Sequence, residues 1–140
     1  MPRALLEDNA QLAGALASHA SQVMEEGCVP PLTKQLCAAI VAGLNYCTPA
    51  LVEHRKRARE LGASTALLND LWDSARSEHF TPAQKAALAA AVALTREPRG
   101  LPDPVYEALR EHFSPPEIVE VLGAIGFENY RNRLQNALQI

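Results

Sequence analysis

The chain has 140 residues and a mass of 15.2 kDa, the size of one domain with room for its own core, so neither a metal nor a disulfide is required to hold it. Apolar residues make up 48% and charged ones 21%, and 13 Lys and Arg against 16 Asp and Glu leave a net charge of −3, which excludes a general attraction to nucleic acid or an anionic membrane. Aromatics at 5% speak against an all-β core and a base-stacking platform, and three cysteines, an odd number, exclude a fully paired disulfide framework.

The N-terminus, Met1-Pro2-Arg3, is not followed by an apolar run, because Glu7 and Asp8 interrupt it, so no targeting segment is expected. The longest apolar stretch, Ala86 to Leu94, is mostly alanine and too short to cross a bilayer. The expected location is the cytoplasm.

Twenty-four alanines and a clustering of Pro and Gly between periodic apolar segments predict helices throughout. Leu5, Leu12, Leu16, Ala20 and Val23 share one stripe of a helix over about 4–26, stopped by Gly27. Pro30-Pro31 breaks the chain, and an apolar helix resumes from Leu32 to Leu44. Thr48-Pro49 reads as an N-cap followed by Pro at the first helical position, opening a helix over about 49–61 that Gly62 ends. Ser64 is expected to cap a further helix running to about 79. Thr81-Pro82-Ala83-Gln84 has the form of a capping box opening 82–96, and Ser114-Pro115-Pro116-Glu117 is another, opening 115–138. Between them Asp103-Pro104 starts a short helix ending near Phe113. The expectation is a single all-α domain over 1–140, of about seven helices and no sheet.

Chemistry concentrates between Gln35 and Gly62. Cys47 precedes a helix start, where the positive end of the macrodipole and unsatisfied N–H groups favour a thiolate. It reads either as a reactive thiol or as a small buried hydrophobe. His54 follows on the same helix, with Ala50 one turn before it, and reads either as an acid–base group or as a partner for Glu53 or a carbonyl. Cys37 lies on an apolar helix and reads as core; pairing with Cys47 would need the loop at Asn45 to fold back. Cys28 stands at the Pro30-Pro31 boundary. His19, His79 and His112 fall on separate predicted elements with no ligand-spaced pair, so no metal site is expected. Arg55-Lys56-Arg57 and Arg59 have Glu53 and Glu60 at helical spacing and read as a solvated face, or an intersubunit or anion contact, and Trp72 as core or subunit interface.

The order of these residues resembles the alkylhydroperoxidase D-like and carboxymuconolactone decarboxylase family. The redox members of that family carry a Glu, a Cys-x-x-Cys and then a His. In register, Gln35 stands on the glutamate, Cys47 on the first cysteine, Ala50 on the second and His54 on the histidine. Leu44-Asn45-x-Cys47, Arg59 to Ser64, Phe80-Thr81-Pro82 and Asn132-Arg133-Leu134 extend the resemblance over about residues 30–140. It implies the alkylhydroperoxidase D-like helical fold and a homo-oligomer, from dimer to hexamer with trimers common. It also implies a small-molecule substrate and no cofactor. For function it implies a peroxiredoxin-type antioxidant thiol reduced by an external thiol, with catalytic positions at Cys47, His54 and Gln35. Because Ala50 and Gln35 replace the second thiol and the relay carboxylate, the redox chemistry is at most one-cysteine or lost. The alternatives are a decarboxylase-type lyase, with His54 and Glu53 acting on a small lactone acid held by arginine, and a non-enzymatic oligomeric binding domain.

Overall fold

The computed structural model describes residues 6–139, and among them the chain forms α-helices and one 3-10 turn, with no strand. The helices are α1 (Ala10–Glu25), α2 (Pro31–Leu44), α3 (Thr48–Glu60), α4 (Thr65–Asn69), α5 (Pro82–Arg96), α6 (Asp103–His112) and α7 (Pro115–Leu138). The part of the first predicted helix that precedes residue 6 lies outside the described residues. Within them that helix restarts at Ala10, because the Asn9 side chain accepts from the Leu12 N–H at 3.0 Å and caps the new first turn.

Both capping boxes form. Thr81 and Gln84, and likewise Ser114 and Glu117, exchange side-chain and backbone hydrogen bonds across the first turns of α5 and α7. The helix expected from Ser64 to about 79 is corrected: α4 stops at Asn69, and a 3-10 turn follows over Leu71–Asp73. The Asp70 carboxylate accepts the Ser77 hydroxyl at 2.9 Å, a local bond that competes with helix continuation, while Leu71 turns fully into the core. Trp72 is correspondingly not core. It is 54% exposed and lies against Gly43, where any Cβ would collide with the indole.

The spine of the fold is α2. Every residue from Thr33 to Ala42 is buried, so this helix is enclosed on all sides by α3, α5 and α7. Its stripe of Leu36, Cys37, Ile40 and Val41 packs with Leu68, Leu88, Leu109, Val121 and Ile125 in the main core. Burying side chains of this size stabilises by about 1.5–3 kcal/mol each. One buried cation is accommodated too: Lys34 Nζ donates to the Glu26 carbonyl at 2.6 Å and stands 3.5 Å from Glu120. Glu120 also accepts the N–H groups of Cys28 and Val29, at 2.8 Å for each shorter contact, which ties the α1–α2 connection to α7. The helix α1 is the opposite of α2: Met24 is its one buried residue, and it rests on α7 partly through an edge-to-face contact of His19 with Phe127.

Candidate active site

The site is built where α2, α3 and α7 meet. The C-terminus of α2 closes in a Schellman arrangement: the Tyr46 N–H bonds to the Gly43 carbonyl and the Cys47 N–H to the Ala42 carbonyl, at 3.1 and 2.9 Å. This motif needs a left-handed residue, and Tyr46 supplies it with φ 56° although glycine usually stands there. The motif also calls for an apolar contact between its last residue and the helix, and Cys47 makes it, packing with Ala42 and Ala50. Cys47, rather than Thr48, is therefore the residue flanking α3, and no side chain caps that helix.

The Cys47 sulfur donates to Gln135 Oε1 at 3.3 Å and receives the Ala50 backbone N–H. Burial is the larger influence and pushes the thiol up from its ordinary value; the Ala50 N–H pulls it down, Glu128 raises it further and Arg131 lowers it. Cys37 sits deeper in the core, and burial pushes it up to about 12. Cys28 is exposed, and all three thiols are free.

His54 has very different surroundings. It is 3% exposed, with Nδ1 2.8 Å from Gln35 Oε1 and Nε2 2.7 Å from Glu128 Oε2. Glu128 is 1% exposed, and its other oxygen accepts from Asn132 Nδ2 at 3.0 Å. Asn132 in turn accepts from Asn45, whose amide also reaches Asn129 at 2.9 Å, so the polar chain runs back to the loop that carries Cys47. No side-chain polar atom that this chain buries is left without a partner among the described residues. With the Gln35 oxygen toward the ring, both ring nitrogens donate. A turn of the Gln35 amide presents its NH2 instead and suits the singly protonated ring, so Gln35 can satisfy His54 in either state.

A cleft of about 950 Å³ opens on this chain, and Gln35, Ala50 and His54 line it together with Arg57, Arg131 and Gln135. Its opposite wall is α1. Glu128 lies behind His54 and outside the cleft lining, as does Cys47. The expected site residues thus separate: Gln35 and His54 meet at the cleft, while the thiol is one side chain removed, behind Gln135. Neither Glu53 nor a carbonyl partners His54. Glu53 is exposed and accepts from Arg57 at 2.9 Å, one of the opposite-charge pairs that the spacing predicted on this face. The residue that sequence reasoning missed is Glu128. Its signal is positional, for it continues the buried stripe Val121, Ile125 and Asn132 of α7, where a carboxylate without a partner would be costly. Among the described residues no group of three or more His, Cys, Asp or Glu is arranged to hold a metal ion.

The family model for carboxymuconolactone decarboxylases matches residues 10–93, more than half of the chain. The chain belongs to the carboxymuconolactone decarboxylase family. The uncharacterized protein YdfG of Bacillus subtilis strain 168 is 27% identical over 107 residues, covering 76% of this chain and 73% of its own. A solved structure from Agrobacterium tumefaciens, of a protein of unknown function proposed to be the antioxidant defence protein AhpD, superposes with a TM-score of 0.87 at 27% identity, covering 95% of this chain and 91% of its own. The debrominase Bmp8 shares the fold at a TM-score of 0.86 and 20% identity, covering 95% of this chain and 72% of its own. The family's helical architecture, with neighbours of the alkylhydroperoxidase D-like kind, is therefore that of this chain, and no described helix is long and apolar enough to cross a membrane.

Proposed function

We propose that this family member carries out proton-transfer chemistry on a small organic anion, as a decarboxylase-type lyase would, with His54 as the acid–base group. The observation that carries this reading is the buried chain Gln35–His54–Glu128, which opens to the cleft at Gln35 and His54 and is closed at Glu128. Glu128 holds Nε2 from behind and stabilises the ring when it is charged, the role a buried carboxylate plays behind many catalytic histidines. Nδ1 is held by Gln35, itself a lining residue, and a substrate atom would take the place of that amide. Arg131, which is not held in a salt bridge among the described residues, supplies charge for the anion. In a decarboxylation of a lactone acid, the bond to the departing CO2 breaks and its electron pair moves into the adjoining carbonyl system. His54 then delivers a proton to the carbon left behind and regains one from water. The test is turnover of a panel of lactone acids. His54→Ala should reduce kcat by about 10²–10⁴, and Cys47→Ser should leave it within about twofold; turnover that survives loss of His54 or needs Cys47 overturns the reading.

A second reading, one-cysteine peroxide reduction, is supported by the Ala50 N–H on the Cys47 sulfur and by Gln135, which links the thiol to the cleft. The thiolate would attack one peroxide oxygen, the O–O bond would break with release of alcohol or water, and external thiols would return the sulfenic acid to thiol through a mixed disulfide. The raised thiol and its place behind the cleft lining weigh against it, and failure to trap a sulfenic acid on peroxide treatment eliminates it. On either reading three free thiols fit a reducing compartment such as the cytoplasm. The exposed Tyr46, Val52 and Val119 support a homo-oligomer, to be read by sedimentation.

A further inference from the structure

We propose that the cleft takes an amphipathic monocarboxylate, its acid head at Arg131 beside Gln35 and His54 and its hydrocarbon chain laid along α1. This rests on reading the cleft as an organic-anion site and adds the chemistry of the rest of the molecule. The charges on the lining come first. It carries two arginines and two glutamates. Arg57 is taken by Glu53, and Glu25 accepts the Ser21 hydroxyl at 3.0 Å. Arg131 makes no salt bridge among the described residues and lies over the Phe127 ring, 5.6 Å from its centroid. Arg131 is thus the lining cation left for a negative head.

The opposite wall is largely apolar, with Ser21 and Glu25 its polar members. Ala13, Leu16, Ala20 and Met24 follow one face of α1, and of these Met24 alone is buried; the others line the cleft instead of joining the main core. An apolar stripe from Ala13 to Met24 is about 16 Å long, more than a lactone acid covers. The cleft, about 950 Å³, is likewise at the upper end of the ~300–1,000 Å³ usual for small-molecule pockets. A second carboxylate would lie against this wall without a cation and pay its desolvation unreturned.

The test is calorimetric binding of straight-chain carboxylates from acetate to dodecanoate to the whole protein, with octanol and octanedioate as controls. Affinity should rise about two- to fourfold per methylene, with octanol at least about tenfold weaker than octanoate and octanedioate no tighter than acetate. Arg131→Gln should weaken every acid by about tenfold and keep the slope; Ala20→Trp should flatten the series beyond hexanoate and leave acetate unchanged. A flat series in the wild-type protein, or octanedioate binding best, overturns the inference. So does a series in which no acid binds and sedimentation finds α1 covered by a second copy, with Ala20→Trp releasing the monomer. Lactone-acid turnover with a flat series removes this inference and keeps the proposed chemistry; a steep series with no turnover of any acid does the reverse.

Discussion

Cys47 flanks the start of α3 and His54 stands seven residues on, at the middle of that helix, yet the protein treats them in opposite ways. His54 is buried among polar groups that satisfy both ring nitrogens and open to a cleft at one end. Cys47 is buried among alanines and closes the end of α2. The helix terminus offers the thiol its partial positive charge and one N–H, but desolvation outweighs both, and Glu128, which serves the histidine, pushes the thiol further up. A place on a helix does not define an environment; what neighbouring helices bring against that place does.

The strongest way to break the contrast is at Glu128. Glu128→Leu strands a polar ring in the core and should cost about 3–5 kcal/mol in denaturant unfolding, whereas Glu128→Gln keeps a partner on Nε2 and should lose less than half of that. If the leucine variant is as stable as the parent, the pair does not hold the site together. The contrast sharpens with Ala50→Cys, which puts a thiol on the cleft lining beside His54. That thiol should alkylate at neutral pH at least about tenfold faster than Cys47, since access and nearby cations favour the thiolate; equal rates would mean that burial does not protect Cys47.

Two pH effects should be smaller. Burial raises Cys37 from 9.0 to about 12, so the unfolded chain releases its proton first and stability falls as the pH rises above about 9. A Cys37→Ala variant should show a shallower alkaline decline. Glu120 behaves in the opposite sense. Burial pulls its carboxyl up, but the N–H groups of Cys28 and Val29 and the Lys34 charge outweigh that and leave it below 4.5. Its contribution is complete above about 4.5 and is lost as the pH falls through the lower folded value. Glu120→Gln should blunt acid unfolding, as followed by circular dichroism.

How much of this could be read from the sequence follows the range of the forces involved. The capping boxes at Thr81 and Ser114 act over three residues, so α5 and α7 begin where their sequences say. The stop at Asp70 depends on Ser77, whose hydroxyl returns from outside the helix, and periodicity alone runs through it. His54 and Gln35 were legible as a pair because the family's spacing brings them to facing turns of α2 and α3. Glu128 was not, since it comes 74 residues after His54 and a carboxylate on a long charged helix looks like surface. The departure at position 35 taken alone reads as the loss of a carboxylate, while in three dimensions a carboxylate from α7 stands on the other nitrogen of the same ring. For Cys47 the sequence shows the helix start but not the Schellman turn, because Tyr46 occupies the left-handed position where glycine would have announced it.

The stacking of Trp72 on Gly43 has an optical consequence. It is the chain's single tryptophan, partly open to water and seated on the turn from which Asn45 and Cys47 depart. Its emission therefore gauges one corner of the protein, the end of α2, and is silent about the loosely held α1. A Gly43→Ala substitution would lift the indole off its seat and redden the emission while most of the core stays packed. Light from this one residue can thus separate a loosened corner from an unfolded chain.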